Sequence, residues 1–253
     1  MEQSSLAALL AISTLVIASG CVGSTPDRSL DSDIEIETVD AQINQSGQTL
    51  LDEALSTTAE APRYSAESSG RLIADIAVIG TSVNFSTDEE VTPNATTINR
   101  SLVVGIAVGN NTNASEVRSR VVSDADGTRR EVFTDSGADG TQAGPTQISE
   151  DVSAAAERIR NIDFTGAEVE GRSNRTGDIV LRTDARPRSL WNYIQESSNA
   201  STVQDSGETG SSAMNSSESY LWVDDQSRVQ RFSFYVSFGN RSAEARSTTR
   251  FSY

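Results

Sequence analysis

The sequence predicts an α+β fold, an antiparallel sheet covered by a few helices. Three observations carry that reading. Residues 220–253 alternate aromatic and polar side chains through two turns, and ten of the chain's fourteen aromatics lie after residue 190. Residues 101–109 alternate bulky and small side chains with a period of two. Residues 49–61 and 150–161 each carry one apolar stripe at helical spacing.

Taken in order, the first helix is predicted over Thr49–Ala61. Thr49 and Asp52 resemble a capping box, Leu50, Leu51, Ala54 and Leu55 form the stripe, and Pro62 ends it. Leu102, Val104, Ile106 and Val108 then share one face of a strand, with the small residues Gly105, Ala107 and Gly109 opposite. Val117, Ser119 and Val121 continue as strand, and Asp124-Ala125-Asp126-Gly127 turns the chain into Arg129–Phe133. A second helix is predicted over Glu150–Asn161, capped by Ser149, with acidic residues at its start and Arg158 and Arg160 at its end. Strands follow over 163–171 and 178–183, then a short helix with Leu190, Trp191 and Ile194. Residues 202–217 read as a Ser/Gly/Asn-rich loop. In the closing meander, Phe232, Phe234, Val236 and Phe238 share one face and Arg231, Ser233, Tyr235 and Ser237 the other.

The amino-terminal segment says where such a domain is expected to reside. Leu15-Val16-Ile17-Ala18-Ser19-Gly20-Cys21 ends a short apolar run in small residues before the chain's single cysteine. The run is too short to cross roughly 30 Å of hydrocarbon as a helix. It reads as a cleavable signal peptide, residues 1–20, joined to a lipidation site at Cys21. Two departures are Ala18, where Leu is commoner, and a start without Lys or Arg. Residues 21–46 are polar and acidic and read as a tether, and residues 47–253 as one domain. The expected location is the extracellular face of a membrane, reached through a lipid on Cys21.

Composition narrows the chemistry. There are 36 acidic against 20 basic residues, a net charge of −16, no histidine and no lysine. That balance repels phosphates and excludes nucleic acid as a partner. It resembles the secreted proteins of extremely halophilic archaea. Without His there is no Ser-His-Asp system and no His metal site, and without Lys no Schiff base. A non-enzyme without cofactor or metal is expected. Ten asparagines begin Asn-x-Ser/Thr sequons, namely Asn44, Asn84, Asn94, Asn99, Asn110, Asn113, Asn174, Asn199, Asn215 and Asn240, and mark a glycosylated exterior protein.

Other candidate sites read as structure. Asp135–Gly140 lacks a calcium loop's central and closing acids, and Asp224-Asp225 points to opposite sides of a strand with no partner carboxylate in view. Arg129-Arg130 read as solvent-facing residues at a hairpin.

The order of elements, closing on Tyr220-Leu221-Trp222-Val223-Asp224 and then Arg228-Val229-Gln230-Arg231, resembles the LolA-like superfamily. That group includes the outer-membrane lipoprotein carrier and mycobacterial glycolipid-carrying lipoproteins. The resemblance implies a curved sheet forming an incomplete β-barrel, with the opening helix across its mouth. It further implies non-catalytic capture of an acyl chain or other apolar ligand. Leu51, Leu55, Trp222, Phe232, Phe234 and Phe238 are the expected pocket residues. A filled core, in a structural or interaction protein of the glycosylated envelope, is the competing expectation.

Overall fold

The computed structural model describes residues 36–39, 43–76, 79–108, 111–135, 141–147, 153–198, 214–238 and 243–253. Its strands are β1 (Thr38–Val39), β2 (Tyr64–Ile76), β3 (Ile79–Thr92), β4 (Ala95–Val108), β5 (Asn111–Asp124), β6 (Gly127–Asp135) and β7 (Thr141–Gln147). They continue as β8 (Phe164–Ser173), β9 (Ile179–Ala185), β10 (Met214–Val223), β11 (Val229–Phe238) and β12 (Ala243–Ser252). The helices are α1 (Gly47–Ala59), α2 (Ala155–Arg160) and α3 (Pro187–Ser198). All strands pair antiparallel in one open sheet of order β1-β8-β9-β10-β11-β12-β2-β3-β4-β5-β6-β7, with β1 and β7 at its ends. The fold is thus mostly sheet, with few helices.

The helices pack on one face of this sheet, which we call the inner face. Helix α1 lies on β8 and β11, α3 on β3 and β10, and α2 between the other two. Helix α1 starts two residues before the Thr49 expected from sequence, because Ser46 takes the capping role: its hydroxyl accepts from Thr49 N at 3.2 Å. A Cβ on Gly47 would sit 2.3 Å from the Ala167 carbonyl oxygen, so the first turn of α1 reaches β8 only because position 47 is glycine.

Helix α2 is described from Ala155, with Ala154 as its N-cap residue and no side-chain cap of its own. The expected Ser149 cap lies outside the described residues. The orphan amides of α2 are met from the sheet instead. Ala155 N donates to Glu89 Oε2 at 2.7 Å, and Ala156 N donates to the Tyr64 hydroxyl at 3.3 Å.

Three further differences have plain causes. Strands β2 and β3 were not read from sequence, because Ala66, Ser68, Gly70, Thr87 and Glu89 on their inner faces are small or polar and leave only the short apolar stretches at Leu72 and at Val83 and Phe85. The expected tether to residue 46 joins the fold ten residues earlier. Ile36 packs on the outer face against Val180, Tyr220 and Trp222, and β1 adds to the edge of β8. The expected loop over 202–217 gives way to strand at Met214.

Candidate ligand-binding face

Three zones lie side by side on the inner face. The first is an aromatic core beneath the helices. Phe232 and Phe234 are fully buried, their ring centroids 5.7 Å apart, and Tyr193 of α3 meets both edge-on at 5.5 and 5.6 Å. Phe164 closes on Phe232 at 6.1 Å. Leu51 is buried in the same cluster and Leu55 packs half-buried against it. Burial pushes the Tyr193 phenol above its ordinary value, and its hydroxyl lies 2.6 Å from Thr249 Oγ1. The space between these Phe rings and the helices is filled by Tyr193 rather than open.

Trp222, grouped with the phenylalanines on sequence grounds, belongs to the other face. Register explains it: Leu221 opposes Phe232, so Trp222 opposes Arg231. There it packs with Val180 and Tyr220, with the Arg231 guanidinium 4.4 Å from its ring. Phe238 lies in β11, but its side chain is outside the described residues.

The second zone is a buried ion pair. The Arg158 guanidinium donates to Glu89 Oε1, and its other terminal nitrogen donates to the Ser153 carbonyl at 2.6 Å. Both side chains are sealed from solvent. Burial acts to lower the Arg158 pKa, and the Glu89 carboxylate outweighs it, so the guanidinium is held above its ordinary value. Tyr64, beside the pair, is pushed up to about 12, chiefly by burial. Neighbouring hydroxyls extend a polar band: Ser68 Oγ lies 2.9 Å from Thr249 Oγ1, and Thr87 donates to the Ser197 carbonyl at 3.3 Å.

The third zone lies where the sheet continues beyond β2. Leu72 opposes Val83, which opposes Val104; in the next row Phe85 opposes Leu102, which opposes Val117. All six point to the inner face. Leu72, Val83, Leu102, Val104 and Val117 are only half-buried, whereas the comparable residues of the first zone are sealed. The Phe85 ring occupies the space over Gly70, where a Cβ would come within 2.2 Å of it. Arg100 shares this face of β4, between Thr87 and Ser119. Its pKa falls to about 10, first through burial, then through the nearby Arg158.

Glu89, Arg158, Tyr64 and Tyr193 were missed from sequence because their partners lie far away along the chain. Arg100 carried a signal: it interrupts the apolar face Ile98-Leu102-Val104, and a cation on such a face has a reason to be there. Asp224 keeps the structural role expected of it. Its Oδ1 accepts from Gln226 N at 2.9 Å and Arg228 N at 2.8 Å, and its Oδ2 from Arg228 Nη2 at 2.8 Å and Gln230 Nε2 at 2.7 Å. Among the described residues, no group of three or more His, Cys, Asp or Glu is placed to hold a metal ion.

Of the sequon asparagines, Asn44, Asn84, Asn94, Asn99 and Asn174 are exposed. Asn84 and Asn99 stand on the outer face of β3 and β4, since Phe85 and Arg100 between them and their serines turn inward. Asn113 and Asn215 lie in strands with side chains outside the described residues. Cys21, Asn110, Asn199 and Asn240 lie outside the described residues altogether.

No family model and no curated protein matches the chain. Distant likenesses exist among solved structures. One is a DUF1329 family protein of Desulfovibrio piger, 8% identical with a TM-score of 0.24, covering 83% of this chain and 92% of that one. A LolA superfamily protein of Nitrosomonas europaea is 9% identical with a TM-score of 0.23 over the same shares. A Vibrio parahaemolyticus domain described as an outer membrane lipoprotein-sorting protein is 8% identical with a TM-score of 0.25, covering 81% of this chain and 92% of that one.

Proposed function

We propose that this chain is a non-catalytic binding module of the cell surface that carries a lipid-like ligand on the inner face of a half-barrel sheet. One observation supports it above the others: the run of half-buried apolar side chains Leu72, Val83, Val104, Leu102 and Val117, in cross-strand register beside a sealed core. The filled aromatic zone moves the ligand away from Phe232 and Phe234 and toward β2–β5. A lipid on Cys21 and glycans on exposed sequons belong to the same reading, with Asn84 and Asn99 placing sugar on the face opposite the ligand. A second reading, an envelope protein with a filled core, draws support from the Phe232–Phe234–Tyr193 packing.

Titration with the apolar fluorophore N-phenylnaphthylamine separates the two. Wild type is expected to bind it, and Val104→Asp to lose binding while its melting curve stays cooperative. A wild type that leaves the fluorophore dark, and that releases no apolar molecule in native mass spectrometry, rejects the carrier.

A further inference from the structure

Asn174 is exposed like Asn44, Asn84, Asn94 and Asn99, yet its side-chain nitrogen, the atom a glycan would be bonded to, is engaged. Nδ2 donates to Glu37 Oε2 at 2.5 Å, and the backbone amide of the same asparagine donates to the Glu37 carbonyl at 3.0 Å. One glutamate, next to β1, thus takes both nitrogens of a sequon asparagine. The sequon Asn174-Arg175-Thr176 forms the turn between β8 and β9, and that turn is closed by its own groups. Ser173 N donates to the Asp178 carbonyl at 2.8 Å and Gly177 N to the Ser173 carbonyl at 2.9 Å. The Arg175 and Thr176 amides reach Ser173 Oγ at 3.4 and 3.3 Å. None of these bonds involves β1.

Strand β1, by contrast, is held by few contacts. It pairs two residues, Thr38 with Ser173 and Val39 with Arg172, and Val39 stays 53% exposed. Ile36 packs half-buried on Val180, Tyr220 and Trp222. Glu37 is itself exposed, so its bonds to Asn174 compete with water. Losing one of so few contacts shifts the balance between docked and undocked strand several-fold.

Glycan transfer needs the same nitrogen. Nδ2 forms a bond to the anomeric carbon of a lipid-linked sugar phosphate, the lipid phosphate leaves with the electrons of the broken carbon–oxygen bond, and one amide proton goes to a base. A transferase has to surround the side chain to do this, and docked β1 occupies one flank of it. A sugar already on Nδ2 puts a bulky hydrated group against the place where the Glu37 carboxylate and its strand lie.

We propose that Asn174 is a gated modification site: Glu37 and a glycan compete for its side-chain nitrogen, so one molecule carries either β1 in the sheet or a sugar on Asn174. The inference rests on the glycosylated-surface reading and adds which sequon the fold controls.

Glycopeptide mapping of the full chain from a glycosylating cell tests it, with Asn94 as the reference sequon. Glu37→Ala and Ile36→Asp undock β1 through different contacts and leave every sequon intact. Each is expected to raise Asn174 occupancy at least about threefold over wild type, with Asn94 unchanged. Hydrogen exchange read by mass spectrometry on separated glycoforms gives the second measurement. The Thr38 and Val39 amides are expected to exchange slowly in molecules bare at Asn174 and fast in those glycosylated there. Thermal melts confirm that both variants fold. Equal Asn174 occupancy in wild type and variants, whether high or low, overturns the gating and leaves the glycosylated surface standing. Slow exchange of Thr38 and Val39 in molecules glycosylated at Asn174 overturns it as well. Sequons bare throughout, Asn94 included, overturn both.

Discussion

Asp224 shows how one side chain organises the turn between β10 and β11. Its carboxylate gathers two backbone amides, the Arg228 guanidinium and the Gln230 amide, while Ser227 takes a positive φ of 56° to let the strand return. Burial acts to raise this carboxyl, and the hydrogen bonds from Arg228, Gln226 and Gln230 outweigh it, so the pKa lies below its ordinary value. The sign follows from linkage. A depressed folded-state pKa gives stability that is complete above the unfolded value, roughly pH 4, and is lost as pH falls through the folded value. Asp224→Asn is therefore expected to be less stable than wild type at neutral pH, with the gap closing below roughly pH 4. Urea melts across that range check it, and a gap independent of pH counts against the assignment. Arg228 then stacks 4.4 Å over the Tyr253 ring, whose hydroxyl donates to Val229 O at 2.8 Å. The last residue of the chain is thereby tied to the start of β11.

At the scale of elements, α2 adds polar anchors to the buried apolar stripe of Ala155, Ala156 and Ile159. Its Ala155 amide, one arginine and the strand beneath it meet at Glu89, while the Ala156 amide goes to the Tyr64 hydroxyl. Glu89→Gln leaves a buried guanidinium without its counter-charge, and a loss of about 3–5 kcal/mol is expected. The double variant Glu89→Gln, Arg158→Met removes the stranded charge and should regain much of that loss. Denaturant melts of both decide, and a Glu89→Gln protein as stable as wild type refutes the anchoring role. The same site shows what sequence can and cannot say. The meander over 220–253 was legible because Phe232, Phe234 and Val236 alternate strictly with polar residues. Helix α1 was legible because Leu50, Leu51, Ala54 and Leu55 fall on one stripe. The cap of α2 was not, because its acceptors Glu89 and Tyr64 come from strands whose own inner faces carry Ser, Thr and Gly. Nor could alternation assign Trp222, since only the pairing of Leu221 with Phe232 tells which parity faces the helices.

For the whole molecule, the anchoring proposal makes a separate claim about partition. A mature chain carrying lipid on Cys21 is expected to enter the detergent phase on phase separation, and Cys21→Ser to stay in the aqueous phase. Because one acyl chain binds a membrane only marginally, firm anchoring needs a two-chain lipid. A Cys21→Ser protein that still enters the detergent phase with residues 1–20 attached sets the proposal aside.

Strand β1 then acquires a mechanical meaning. By joining the edge of β8, with Glu37 clasped by the Asn174 side chain at 2.5 Å and by its backbone amide at 3.0 Å, the chain is fastened to the domain well before α1 begins. Under the anchoring proposal, the fifteen residues from Val22 to Ile36 are all that separates Cys21 from the domain, a number that reaches at most about 50 Å. Their pull comes from one margin of the sheet, six strand spacings or about 29 Å from β2. If Cys21 carries the proposed lipid, a domain held by that rim can tilt as a flap does, bringing the β2–β5 face toward the bilayer or turning it away.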